Sequence, residues 1–328
     1  MSVERIAVIG GGAWGTALAQ VAATGGRETL LWAREDEVVA AINQAHENSV
    51  FLPGLPLDPA IRATSDIAEI AGCEAWLMVT PAQHMRAVLE TAPRSDAPRV
   101  LCSKGIEEGS GKLLHQVAAE VSGGAPIAVL SGPTFAHEVA RGLPTAVTLA
   151  AEDSAVAEAL RDRLALSTFR IYLSDDVAGA EVGGAVKNVL AIACGVVEGR
   201  GLGQNARAAL IARGFAEMTR FGLAFGARRE TLAGLSGLGD LVLTCSSTSS
   251  RNFSLGKGLG EGRSAAELMA DRRTVAEGAF TAPVLARLAR TRGIDMPIVE
   301  SVDRILGGAS VDSVLEDLLS RPPRAEGI

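Results

Sequence analysis

The sequence predicts an α/β protein with a doubly wound, mainly parallel sheet in its first part and an all-α domain in its second. Three observations carry this. Short β-branched runs alternate with helical patterns up to about residue 176. A glycine-rich turn joins the first run to the first helical segment, and beyond residue 177 helical patterns and glycine turns take over. The expected domains are therefore 1–176 and 177–328.

Composition narrows the function classes. With 328 residues, 48% hydrophobic and 21% charged, the chain is long enough for two cores and too apolar for disorder. A net charge of −7 offers no electrostatic footprint for nucleic acid or anionic lipid. An anionic small molecule would need a local cationic site. Cys73, Cys102, Cys194 and Cys245 are too scattered for a zinc knuckle or redox pair, which fits buried, reduced thiols in a cytosolic enzyme. His46, His84, His115 and His137 lie apart without metal-ligand spacing, so no metal site is indicated. Ile6 to Ala23 is an uncharged run of 18 residues, but its four glycines interrupt it where a strand should turn into a helix. Neither a signal peptide nor a membrane span is expected.

The first strand, Arg5 to Ile9, leads into Gly10-Gly11-Gly12-Ala13-Trp14-Gly15 and a helix to about Thr24. This is strand, Gly-x-Gly-x-x-Gly, helix. Gly10 makes the tight turn, Gly12 lets backbone approach a pyrophosphate, and Gly15 permits close helix-to-strand packing. A second strand follows at Glu28 to Trp32, so the context is that of a Rossmann-type dinucleotide-binding domain. The residue after that strand selects the cofactor: a carboxylate suits the ribose of NAD, an arginine the extra phosphate of NADP. Arg34 stands there, so NADPH is expected to be preferred and NADH accepted; the alternative is a solvated charge run, Arg34-Glu35-Asp36, opening the next helix. Further strands are expected at 62–64, 75–79, 99–103, 127–130, 146–150 and 169–173, with helices at 66–71, 83–91, 112–121 and 154–164. Ligands of such sheets sit beyond the carboxyl ends of the strands, where Thr80-Pro81, Ser103-Lys104-Gly105 and Ser131-Gly132-Pro133-Thr134-Phe135-Ala136 stand. Lys104 could reach cofactor or substrate there, or be an ordinary surface lysine.

The second domain opens on Ala178 to Gly199, whose apolar positions recur at helical spacing. From Val182 to Val197 its ionisable groups are Lys187 and Cys194. A buried lysine has a lowered pKa and can move protons at neutral pH, which makes Lys187 the first candidate for chemistry. The alternatives are a lysine snorkelling at a helix edge or one paired with Glu181. Farther on, a turn-rich segment presents Asp240, and Ser250-Arg251-Asn252 closes a polar loop whose hydroxyl, guanidinium and amide suit a phosphate or carboxylate; a flexible serine linker is the alternative.

Together these segments resemble the bacterial NAD(P)-dependent glycerol-3-phosphate dehydrogenases from Ile6 to about Glu300. The shared motifs include the glycine loop with its Trp14 insert, Phe51-Leu52-Pro53-Gly54, Ser103-Lys104-Gly105, Gly184-Ala185-Val186-Lys187-Asn188, Gly237-Leu238-Gly239-Asp240-Leu241, Ser250-Arg251-Asn252 and Val275-Ala276-Glu277-Gly278. The resemblance implies reversible reduction of dihydroxyacetone phosphate to sn-glycerol 3-phosphate for phospholipid synthesis, in the cytoplasm, by a chain that can form a homodimer. It implies Lys187 as proton donor and acceptor. Lys104, Gly132, Thr134, Lys187, Asp240, Ser250, Arg251 and Asn252 would hold the substrate. Gly10, Gly12, Ala13, Trp14, Gly15, Arg34, Lys104, Ala136, Arg251, Val275 and Glu277 would line the cofactor site. Ala13 stands where the family commonly has a hydroxyl residue. Rival readings are another two-domain reductase, such as a β-hydroxyacid dehydrogenase or ketopantoate reductase, and a non-catalytic NADPH sensor. A pure binder has no need of Lys187, Lys104 and Asp240.

Overall fold

The computed structural model describes residues 5–270 and 276–322; Val275, assigned above to the cofactor, lies outside the described residues. Two compact units form, one from Met1–Ser103 with Leu114–Val177, the other from Lys104–Leu113 with Ala178–Ile328.

The first unit carries strands β1 (Arg5–Ile9), β2 (Glu28–Trp32), β3 (Glu47–Asn48), β4 (Leu52–Pro56), β5 (Ile61–Thr64), β6 (Ala75–Met78), β7 (Arg99–Leu101), β8 (Ile127–Ser131), β9 (Thr145–Ala151) and β10 (Phe169–Ser174). Its helices are α1 (Ala13–Thr24), α2 (Asp36–Ala45), α3 (Met85–Thr91), α4 (Leu114–Val121), α5 (Ala136–Ala140) and α6 (Ser154–Leu164). Eight strands make one sheet in the order β10-β9-β8-β7-β6-β1-β2-β5, parallel except where β8 meets β9. Ile9 faces Trp32 on one side and Met78 on the other, so β1 is central and the chain changes direction between β1 and β6. That switch point is where an open parallel sheet leaves a crevice for a ligand. Ile6, Val8, Leu31, Leu77, Val100 and Leu130 are buried in one cluster with Leu18, Val21 and Leu160 of the helices. Such unbroken apolar strands are what a sheet covered on both faces requires.

Two local expectations change. The helix expected at 66–71 is a tighter 3-10 stretch, Ile67–Gly72, the form short single-turn pieces often take, capped by the Asp66 carboxylate, which accepts the Ala68 N–H. The antiparallel ribbon β3–β4 had no strand signal, since Pro53, Gly54 and Pro56 break any alternation.

The second unit has one turn segment, 104–113, closed by an antiparallel Ile106–Leu113 bridge, and otherwise consists of helices and the turns between them in its described residues: α7 (Val177–Gly199), α8 (Gly203–Ala224), α9 (Arg229–Leu232), α10 (Asp240–Thr244), α11 (Arg251–Gly260), α12 (Ala265–Leu268), α13 (Glu277–Arg292), α14 (Pro297–Leu306) and α15 (Val311–Leu319). Long and apolar enough to cross a bilayer, α7 has its whole apolar window inside the protein, as a core helix would. Glycines let it approach α11 at backbone distance. A Cβ on Gly195 would strike the Phe253 carbonyl, and one on Gly256 would strike that of Ile192. The cluster around α7 includes Val186, Val189, Leu190, Phe221, Leu241, Phe253 and Leu285. On α8 a buried acid, Glu217, accepts the N–H groups of Ile298 (2.8 Å) and Val299 (3.2 Å) at the start of α14. Burial, opposed by those two bonds, pushes its pKa up to about 8.

Candidate active site

The chemistry of the second unit centres on one carboxylate. Asp240 is fully buried, at the start of α10 after a π-helical turn over Leu235–Gly239. Its Oδ1 accepts from Lys187 Nζ, and its Oδ2 accepts from Lys104 Nζ at 2.6 Å. Lys187 is 5% exposed, so neither snorkelling nor a surface position describes it, and its ion-pair partner is Asp240. Lys104 is drawn into the helical unit with side-chain exposure of 16%, which sets aside the surface alternative. Burial brings the pKa of Lys187 down to about 7; the Asp240 carboxylate works against that shift and the Lys104 ammonium adds to it. The result is an ammonium that exchanges its proton near neutral pH beside a fixed negative charge.

Two side chains go beyond the sequence reading. Thr244 Oγ1 donates to the Asp240 carbonyl at 2.6 Å and lies 3.4 Å from its Oδ1, which braces the carboxylate from one turn on. The spacing of four residues from Asp240 was its only signal. Asn188, next to Lys187, accepts from Asn252 Nδ2 at 3.1 Å, while Asn252 Oδ1 accepts the Gly278 N–H at 2.9 Å. Asn252 thus ties α7 to the first turn of α13, which begins at Glu277. Ser250 caps α11, its hydroxyl accepting the Phe253 N–H at 3.2 Å. Of the three loop residues Arg251 is the exposed one. A helix cap in this position is no flexible linker.

In the first unit the glycine loop has the predicted form. Gly10 has φ +131° and lies against the Val79–Thr80 peptide, where a Cβ would come within 2.8 Å of backbone. A Cβ on Gly15 would collide with the Gly10 carbonyl, so helix α1 packs on the turn only with glycine there. Gly12 caps α1, and a Cβ built on it meets nothing within 4 Å. Ala13 and Trp14 open the helix, whose first N–H groups suit an anion. These features fit a dinucleotide. Arg34 is 77% exposed in its side chain and pairs with Glu35 at 3.1 Å, just before α2. Beyond β8, Gly132 packs against Val147, Thr134 Oγ1 donates to the Gly132 carbonyl at 3.3 Å, and Ala136 starts α5.

A glycine-turn dinucleotide fold coupled in one chain to a helical unit with a buried Lys–Asp–Lys cluster defines a two-domain, nicotinamide-dependent dehydrogenase. Residues 5–157 match the family described as NAD-dependent glycerol-3-phosphate dehydrogenase N-terminus, and residues 176–316 match its C-terminus. A glycerol-3-phosphate dehydrogenase [NAD(P)+] of Erythrobacter litoralis is 65% identical over 322 residues, covering 98% of each chain. One from Parvibaculum lavamentivorans is 62% identical and covers 99% of each. The crystal structure of a glycerol-3-phosphate dehydrogenase from Coxiella burnetii superposes with a TM-score of 0.93 at 40% identity, covering 98% of this chain and 100% of its own. The chain belongs to the NAD-dependent glycerol-3-phosphate dehydrogenase family.

Proposed function

We propose that the protein reduces dihydroxyacetone phosphate reversibly to sn-glycerol 3-phosphate with NADPH or NADH, and that Lys187 donates and recovers the proton. The observation that carries the proton assignment is the buried Lys187 ammonium, with a pKa near 7, held on Asp240 beside Lys104. When bound, the nicotinamide supplies the hydride to the ketone carbon. Negative charge then grows on the carbonyl oxygen, and a desolvated ammonium both stabilises it and gives it a proton. Asp240 keeps Lys187 oriented, and Thr244 keeps Asp240 in place.

Substrate recognition is assigned to Lys104, Gly132, Thr134, Asp240, Ser250, Arg251 and Asn252. Arg251 takes the phosphate, whose binding energy orients the distant ketone. Ser250 and Asn252 also shape the start of α11 through the bonds they make within the unit. Gly10, Gly12, Ala13, Trp14 and Gly15 take the pyrophosphate, while Lys104, Ala136, Arg251, Val275 and Glu277 complete the cofactor site. Arg34 favours NADPH over NADH. We assign the chain to the cytoplasm, as a homodimer feeding phospholipid synthesis.

The test is the loss of NADPH absorbance, and separately of NADH, when purified protein meets dihydroxyacetone phosphate, with dihydroxyacetone as control. Oxidation with the phosphorylated ketone alone is the expected result. Equal oxidation with both ketones would remove the phosphate anchor, and tight cofactor binding with no oxidation would favour a sensor.

A further inference from the structure

We propose that Asn48 is a positioning residue for the dinucleotide: it fixes the Gly11–Gly12 peptide so that the Gly12 N–H faces the pyrophosphate. The inference rests on the reading of the glycine loop as the cofactor cradle.

Asn48 belongs to the two-residue strand β3, 37 residues from Gly11, and is 0% exposed. One Nδ2 hydrogen goes to the Gly11 carbonyl at 2.8 Å and the other to Thr16 Oγ1 at 2.7 Å, while Oδ1 accepts the Phe51 N–H at 3.0 Å. Thr16, also fully buried, passes the chain on by donating from Oγ1 to the Gly12 carbonyl at 3.0 Å. Both donors of the amide are therefore spent on the glycine loop and the first turn of α1.

The geometry of the peptide unit turns this into a directional device. In a trans peptide the carbonyl of one residue and the N–H of the next point in opposite directions. With the Gly11 oxygen drawn inward to Asn48, the Gly12 N–H must point the other way. Gly12 itself is unobstructed, for a Cβ built on it would meet nothing within 4 Å, whereas one on Gly10, Gly11 or Gly15 would be obstructed. A peptide between two glycines is otherwise the least constrained in the chain and could rotate to present its carbonyl to the anion. The side chain that prevents this is supplied by a segment remote in sequence, not by the motif.

The experiment measures Kd for NADPH and NADH without substrate, by nicotinamide fluorescence, in wild type, Asn48→Ala, Thr16→Val, Thr16→Ser and Gly12→Val. KM for dihydroxyacetone phosphate is measured at saturating NADPH. Loss of one hydrogen bond to a charged group predicts that Asn48→Ala weakens both cofactors about tenfold or more, by the same factor, with that KM unchanged. Thr16→Val should be weakened less, and Thr16→Ser should bind as wild type. Unchanged Kd values in Asn48→Ala and Thr16→Val, or weakening of NADPH alone, would overturn the proposal. Should Asn48→Ala fail to fold, the contrast of Thr16→Val with Thr16→Ser decides. Gly12→Val has room to fold but obstructs the anion. If it binds cofactor normally, the cradle itself is wrong and the proposal falls with it; if it alone loses binding, only Asn48 is wrong.

Discussion

Replacing Asp240 by Asn removes the carboxylate with which both the buried Lys187 and the part-buried Lys104 pair. The Lys104 and Lys187 ammonium groups sit on opposite oxygens of this fully buried carboxylate, so the amide leaves two like charges facing each other out of water. Taking one partner from a buried ion pair typically costs about 3–5 kcal/mol. The loss should depend on pH, because Lys187 has a pKa near 7 against an ordinary 10.5. At pH 6 it is charged in the folded protein and the full loss of about 3–5 kcal/mol applies. At pH 9 it is already neutral, so its pairing with Asp240 no longer counts, and about half that loss is expected. Catalysis moves with it. Asp240 is the influence that raises the Lys187 pKa, so without it burial and Lys104 act unopposed and the pKa falls below 7. Reduction needs the protonated lysine, so the alkaline fall-off of reductive turnover should shift to lower pH. Urea unfolding at pH 6 and pH 9 measures the first effect, and kcat for reduction against pH measures the second. Equal destabilisation at both pH values, or a fall-off that stays put or moves to higher pH, would refute the reasoning.

Other perturbations test other parts of the structure. Glu217 has a folded pKa of about 8 against an ordinary 4.5, so the stability it contributes is fully present below pH 4.5 and is lost as pH rises through 8. Glu217→Gln should flatten that fall, which can reach about 1.4 kcal/mol per pH unit in wild type; urea midpoints at pH 5 and pH 8 that drop equally in both proteins would contradict this. Gly256→Ala forces a Cβ into the Ile192 carbonyl and should destabilise by about 3 kcal/mol or more, whereas Gly109→Ala, with open space, should stay within about 0.5 kcal/mol. Thermal unfolding of the pair checks the helix crossing, and equal stabilities would deny it. Arg34→Ala should lower the NADPH-to-NADH ratio of kcat/KM about fivefold, a modest factor because the side chain is exposed and already pairs with Glu35. An unchanged ratio would dismiss Arg34 from cofactor selection.

Much of this architecture was legible because its causes are local. The glycine loop combines a strand, a turn that tolerates positive φ and a helix start within some twenty residues, and each leaves its own mark. Lys187 stood out because one cation in a long apolar helix contradicts its surroundings, and burial is what shifts its proton affinity. Its partners could not be read from spacing: Asp240 lies 53 residues from Lys187 and 136 from Lys104, and resemblance rather than periodicity brought the three together. Gly195 and Gly256 look like weak points in their helices until the crossing shows that anything larger would meet backbone. Glu217 reads as one more charge on the amphipathic α8, and only the position of α14 reveals a buried cap. Asn48 was illegible for the same reason, since what it binds is determined by tertiary structure and its own ribbon is broken by proline and glycine.

The proposed chemistry turns on Lys187 moving the proton. Its most direct test is Lys187→Met, assayed for turnover of dihydroxyacetone phosphate with NADPH and, in the same preparation, for NADPH Kd. With the proton donor gone, kcat should fall by about 100-fold to 10,000-fold, the range for loss of a general acid, while NADPH binds within a factor of about two of wild type. Near-normal turnover, or a loss explained by failure to bind NADPH, would contradict it.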